Sequence, residues 1–148
     1  MAVASDGGTV RIEGLRDFYN ALRRVSDEYP ATLVRANYDL AKGLVDKSRA
    51  RARGEPGVAR KAARSLRASR SASAAIVSAG GARYPYFWGA EFGALRYRQF
   101  QTWRGNQWGA WSGGPGYFLH PTIRDHAVEL IEDYLSKLDR LHSQAFPD

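Results

Sequence analysis

The sequence predicts an α+β fold: a small, mostly antiparallel sheet of three or four strands, packed against a long N-terminal-half helix and a C-terminal helix. Three observations carry this expectation. Apolar residues recur with helical period over three segments, and over a short opening segment they alternate with polar ones. The aromatic residues, meanwhile, concentrate in a glycine-rich stretch that fits neither pattern. At 148 residues the chain makes one domain. Residues 1–8 are expected to be a flexible N-terminus, 94–116 an extended aromatic arm or loop and 143–148 a tail.

Each element has its own signal. Val10 and Ile12 alternate with polar residues over Thr9–Glu13, the period of a half-buried strand. Leu15, Phe18, Tyr19, Leu22 and Val25 then fall on one helical face. A second helix is expected from about Pro30 to about Ala52, with Leu33, Leu40 and Leu44 in its apolar stripe. Gly54-Glu55-Pro56-Gly57 breaks it. Val58, Ala62 and Leu66 mark a short third helix, and Ser71–Ser78 reads as a strand before the Gly80-Gly81 turn. Arg96–Trp103 reads as an extended strand or hairpin arm. Pro121 opens the last helix, whose stripe is Ile123, Ala127, Ile131, Tyr134, Leu138 and Leu141.

Composition narrows the function classes. The absence of cysteine excludes disulfides, thiolate metal sites and thiol catalysis. Met1–Val10 has neither the basic nor the apolar region of a signal peptide, and no stretch approaches the ~20 apolar residues of a membrane span. A protein made and kept in a cytoplasm, with no membrane partner, is expected. The net charge of +7 is unevenly placed. Residues 42–70 hold Lys42, Lys47, Arg49, Arg51, Arg53, Arg60, Lys61, Arg64, Arg67 and Arg70 against only Asp46 and Glu55, so the rest of the chain is slightly anionic. Asp125, Glu129, Glu132 and Asp133 make the last helix acidic.

A search for chemistry finds no enzyme signature. His126 and Glu129 stand three apart on the last helix but lack a third ligand at metal-site spacing. Asp125, Glu129 and Asp133, four apart, read as a solvated face or one that meets a cationic neighbour. No serine sits in a Gly-x-Ser-x-Gly elbow, and Gly113-Gly114-Pro115-Gly116 lacks the Lys-Ser or Lys-Thr of a phosphate loop. No catalytic, cofactor-binding or metal-binding residue is assigned, and no cofactor is expected.

Two features remain. Arg60, Arg64 and Arg67, spaced as one helical face, can be a solvated face, a surface for an acidic protein, or a site for non-specific contact with nucleic acid. Among the aromatics, Tyr86, Phe87 and Phe92 suit a core. Tyr97, Phe100, Trp103, Trp108 and Trp111 are set among polar residues and glycines, where large rings serve as interface anchors or as platforms for single-stranded nucleic acid.

The order of pieces resembles a known family. Val10-Arg11-Ile12-Glu13-Gly14-Leu15 runs from a strand into a helix, and a long amphipathic helix pair and a basic Arg/Ser segment follow. Tyr84-Pro85-Tyr86-Phe87-Trp88-Gly89-Ala90-Glu91-Phe92-Gly93 is similar to that family's Pro-Tyr-Ala…Glu-Phe-Gly stretch. Gly116-Tyr117-Phe118-Leu119-His120-Pro121 is similar to its lead into the C-terminal helix. The family is that of small tailed-bacteriophage proteins of the neck: head–tail joining, tail-completion or minor tail components. This chain departs from it where residues 94–115 replace a short link, and where Trp88 stands in place of a smaller residue. The resemblance implies a non-catalytic subunit of a hexameric ring in the virion neck, made in the host bacterial cytoplasm. Its partners would be other copies, the stopper or adaptor, and the tail terminator or tail tube, with contact to genomic DNA in the channel. Glu91 is expected to accept backbone amides in a turn, and Gly93 to supply a positive φ.

Overall fold

The computed structural model describes residues 3–6, 9–12, 14–105 and 114–148. Its elements, in chain order, are strands β1 (Val3–Asp6) and β2 (Thr9–Ile12), helices α1 (Leu15–Val25), α2 (Glu28–Ala52) and α3 (Ala59–Ala62), a 3-10 turn (Ala63–Ser65), strands β3 (Arg67–Ser69) and β4 (Ile76–Ser78), and helices α4 (Phe87–Phe92) and α5 (Leu119–Ala145). The fold is α+β and rich in helix.

The frame is an antiparallel pair, α2 against α5. Matched contacts define their course: Tyr29 Oη donates to the Gln144 carbonyl at one end, and Arg51 meets Asp125 at the other. Helix spacing explains the pairing. Leu33, Ala36 with Asn37, Leu40 with Ala41, Val45, Ser48 and Ala52 of α2 are buried once per helical turn, and Tyr134, Leu138, Leu141 and Ala145 of α5 in steps of three or four. α1 closes the open end of the pair with Leu15 and Leu22, and Phe18 and Tyr19 are half-buried beside them. Val25, the last residue of that stripe, is exposed because the helix ends there.

At the other end a second core forms around Phe87, Phe118, Leu66 and Val45, with small alanines of α2 and α3 letting the short elements approach closely. Between the two clusters Tyr134 Oη donates to Asn37 Oδ1 at 2.5 Å, and Asn37 Nδ2 donates to the Ser71 carbonyl at 2.8 Å. This satisfied buried chain ties α5, α2 and the β3–β4 loop together. Burial holds the Tyr134 phenol in its neutral form well above the ordinary tyrosine range.

The strands differ from the sequence expectation in arrangement. They form two separate antiparallel ribbons, β1–β2 and β3–β4, rather than one sheet of three or four strands. The β3–β4 ribbon lies on α2. Ser71, expected to start a strand, is held by Asn37 in the intervening loop, so only Ile76–Ser78 of that segment is extended. Residues 3–6, read as part of a flexible N-terminus, are the strand β1. α5 runs to Ala145, inside the segment read as a tail, because Ala145 is buried against the first core. Pro30 and Pro121 each stand third in their helices, within the first turn, where no intrahelical amide is lost.

Candidate interaction surface

The two segments that carry the family resemblance meet at one side chain. Glu91 of α4 is fully buried, and its carboxylate reaches the first turn of α5. Oε2 accepts the amides of Phe118 and Leu119 at 3.2 and 2.9 Å, and Oε1 accepts the amide of His120 at 2.8 Å. His120 Nδ1 lies 2.9 Å from the same Oε1. The carboxylate therefore satisfies helix amides that have no intrahelical acceptor, and its negative charge faces the positive end of the helix dipole. Gly116, at φ 88°, leaves the room that the carboxylate occupies: a Cβ there would collide with Glu91 Oε1. Glu91 does accept backbone amides, but those of α5 rather than of its own turn. Gly93 has φ 83°, and a Cβ on it would collide with the Thr102 carbonyl.

That collision marks where the aromatic segment folds back. Residues 94–105 contain neither strand nor helix, so Arg96–Trp103 is not the extended arm the sequence suggests. The Ala94 amide donates to the Gln101 carbonyl at 3.0 Å, and the Arg104 amide donates to the Phe92 carbonyl at 2.7 Å, closing a compact excursion at its base. Tyr117 Oη donates to the Thr102 carbonyl at 2.6 Å, and Gln101 Nε2 donates to Glu55 at 3.0 Å. Phe100 turns inward onto the backbone of Gly89, where any Cβ would strike its ring. This is why it is half-buried rather than presented for contact. Tyr97, at 62% exposure, and Trp103, at 37%, remain outward. Trp108 and Trp111 lie outside the described residues.

The basic stretch also departs from a single helical stripe. α3 ends at Ala62 and the chain leaves helical geometry at Leu66, whose side chain enters the core. Arg49 fixes this exit by donating to the carbonyls of Ala63 and Leu66, at 3.3 and 2.6 Å. Ser65 Oγ holds it from the other side by accepting the Gly80 amide at 2.9 Å. Arg60 and Arg64 thus stand on α3 and the 3-10 turn, while Arg67 begins β3. All three are exposed, and none has a carboxylate partner among the described residues. The acids of α5 are more occupied. Asp125 meets Arg51 at 2.7 Å, a hydrogen bond that holds its carboxyl below its ordinary range, and Asp133 meets Lys137 at 2.9 Å.

Sequence reasoning passed over Trp88 as a surface residue. It is 50% exposed, stacked on Phe92 at 5.5 Å and edge-on to Phe87 at 4.8 Å. Its place inside a motif that reads as core hid this. His126 Nδ1 lies 3.6 Å from Glu129, and no group of three His, Cys, Asp or Glu able to hold a metal occurs among the described residues. An apolar cavity of about 240 Å³ lies between α2, α5 and β4, lined by residues such as Leu44, Ile76, Ile123 and Ile131. Its lining offers no acid, base or nucleophile; its one hydroxyl, that of Tyr134, is bonded to Asn37. Among the described residues no helix is long and apolar enough to cross a membrane. No protein family, curated protein or solved structure matches the chain.

Proposed function

We propose that the protein is a non-catalytic structural subunit of a long-tailed bacteriophage virion, a homo-oligomeric ring of the neck. It would complete or join the tail to the head, as a tail-completion, tail-terminator or head–tail connector protein. The observation that carries this reading is the union of the two family-like segments: Glu91 of the first binds the amides of Phe118, Leu119 and His120 in the second. Two of the segments that carry the resemblance are thus in direct contact. The charge distribution supports association with other chains. Arg60 on α3 and Arg67 on β3 are exposed and have no carboxylate partner among the described residues, and an acidic face lies on α5, the two unlike patches that a head-to-tail ring requires.

Electron microscopy of the purified chain, alone and mixed with tail tubes, tests the reading. Rings with a central channel, seated on tube ends, are expected; a chain that neither closes into rings nor binds tubes contradicts it. A second reading, non-specific nucleic-acid binding through residues 42–70, is favoured by Arg60, Arg64 and Arg67, which have no carboxylate partner among the described residues. It predicts a duplex mobility shift whose log affinity falls by several units per log unit of salt. A connector shows weak binding or none.

A further inference from the structure

We infer that Trp88, with the exposed cations Lys61, Arg64 and Arg83 on neighbouring segments, is the anchor of the surface that receives the outer face of α5 from a second copy of this chain. The inference rests on the ring reading and assigns the interface within it. The fold brings these residues together from three elements. Arg64 precedes Ser65, whose hydroxyl binds the Gly80 amide, and Gly80 lies against the Trp88 indole, 3.8 Å from a Cβ position to Nε1. Lys61 Nζ stands 5.5 Å from the centroid of Tyr86, two residues before Trp88. Arg83 is exposed on the turn that leads into α4. The indole is held from behind by Phe87 and Phe92, so presenting it costs little further ordering. A half-exposed indole beside segments that carry exposed cations has the composition of an interface centre, where Trp and Arg are enriched.

The occupant follows from charge and shape. On α5, Val128 is 69% exposed and lies on one face with Glu129 and Glu132, at three, four and seven positions from Asp125, whose carboxylate is already paired with Arg51. Glu132 has no cationic partner among the described residues, and Glu129 has only the 3.6 Å approach of His126. An apolar residue among acids matches an apolar residue among cations. Because the two patches differ and both belong to one chain, each copy gives one and receives the other, a heterologous contact that propagates around a ring.

Two charge reversals test this by sedimentation velocity. Lys61→Glu with Arg64→Glu makes both faces acidic, and Glu129→Lys with Glu132→Lys makes both basic. Each is expected to stay monomeric with an unchanged thermal melt, and an equal mixture of the two is expected to recover the wild-type oligomer, with the copies alternating. Trp88→Ala is expected to weaken association about 30-fold. Rings that survive either reversal, or variants that stay apart when mixed, overturn the interface and leave the ring reading standing. A wild-type chain that is monomeric at every concentration overturns both. Loss of duplex-DNA binding in the first variant with unchanged self-association assigns the cations to nucleic acid and overturns the proposal.

Discussion

Two charged regions of this molecule use their charge in opposite ways. Glu91 is wholly buried, and both its oxygens are engaged by three amides and an imidazole. Arg60, Arg64 and Arg67 are exposed and unpartnered among the described residues. A buried carboxylate is tolerable only when its hydrogen bonds replace those of water, so Glu91 serves the fold. Exposed cations with no carboxylate partner among the described residues add nothing comparable to stability, and like charges set side by side repel. The comparison separates charge that folds the chain from charge that does not, which the proposed ring would use for association.

The sharpest way to break that contrast is at Glu91. Glu91→Ala leaves the amides of Phe118, Leu119 and His120 without their acceptor and is expected to cost about 3–5 kcal/mol, read from the urea midpoint. Glu91→Gln, which keeps one carbonyl acceptor, should cost less. Wild-type stability in the alanine variant would remove Glu91 from the folding account.

Tyr134→Phe comes next. It leaves Asn37 Oδ1 buried without its donor, for a loss of about 1–2 kcal/mol in the same measurement. It also carries a pH signature. Burial raises the phenol's pKa, so its stabilisation is complete below the ordinary value of 10.0 and is lost as pH climbs above it. The wild type should lose stability above that pH more steeply than the phenylalanine variant.

Smaller still is the effect of Asp125→Asn. The Arg51 hydrogen bond lowers the Asp125 pKa from 3.8, so the contact contributes above that pH and fades as acid protonates the folded carboxylate. Urea midpoints of wild type and variant should differ slightly at pH 6 and converge near pH 2. At the far end of the series, replacing Arg60, Arg64 and Arg67 together with alanine should leave folding stability within about 0.5 kcal/mol of wild type. A larger loss would show that these side chains serve the fold after all.

The same contrast explains what could be read from sequence. The helices were legible because Leu15 and Leu22, or Tyr134, Leu138 and Leu141, repeat at helical spacing over several turns. β3 and β4 have three residues each, too few for alternation to declare itself, and the loop between them is fixed by Asn37, 34 positions from Ser71. The helical stripe expected at Arg60, Arg64 and Arg67 failed because Leu66 is drawn into the core and Arg49 holds the carbonyls where the helix ends. Glu91 could be placed in a turn from its neighbours, but its partners lie 27–29 residues away, beyond any local pattern. Exposure was the least legible quantity. Phe100 looked like a surface anchor and covers Gly89, while Trp88, among neighbours that read as core, stands half in solvent.

Native mass spectrometry of the purified wild-type chain tests most directly whether the unpaired cations belong to neighbouring protein. A closed oligomer, six copies on the family resemblance, that falls apart as ionic strength rises is the expected spectrum. A single species at the mass of one chain, 16.5 kDa, at every concentration and salt would contradict the account.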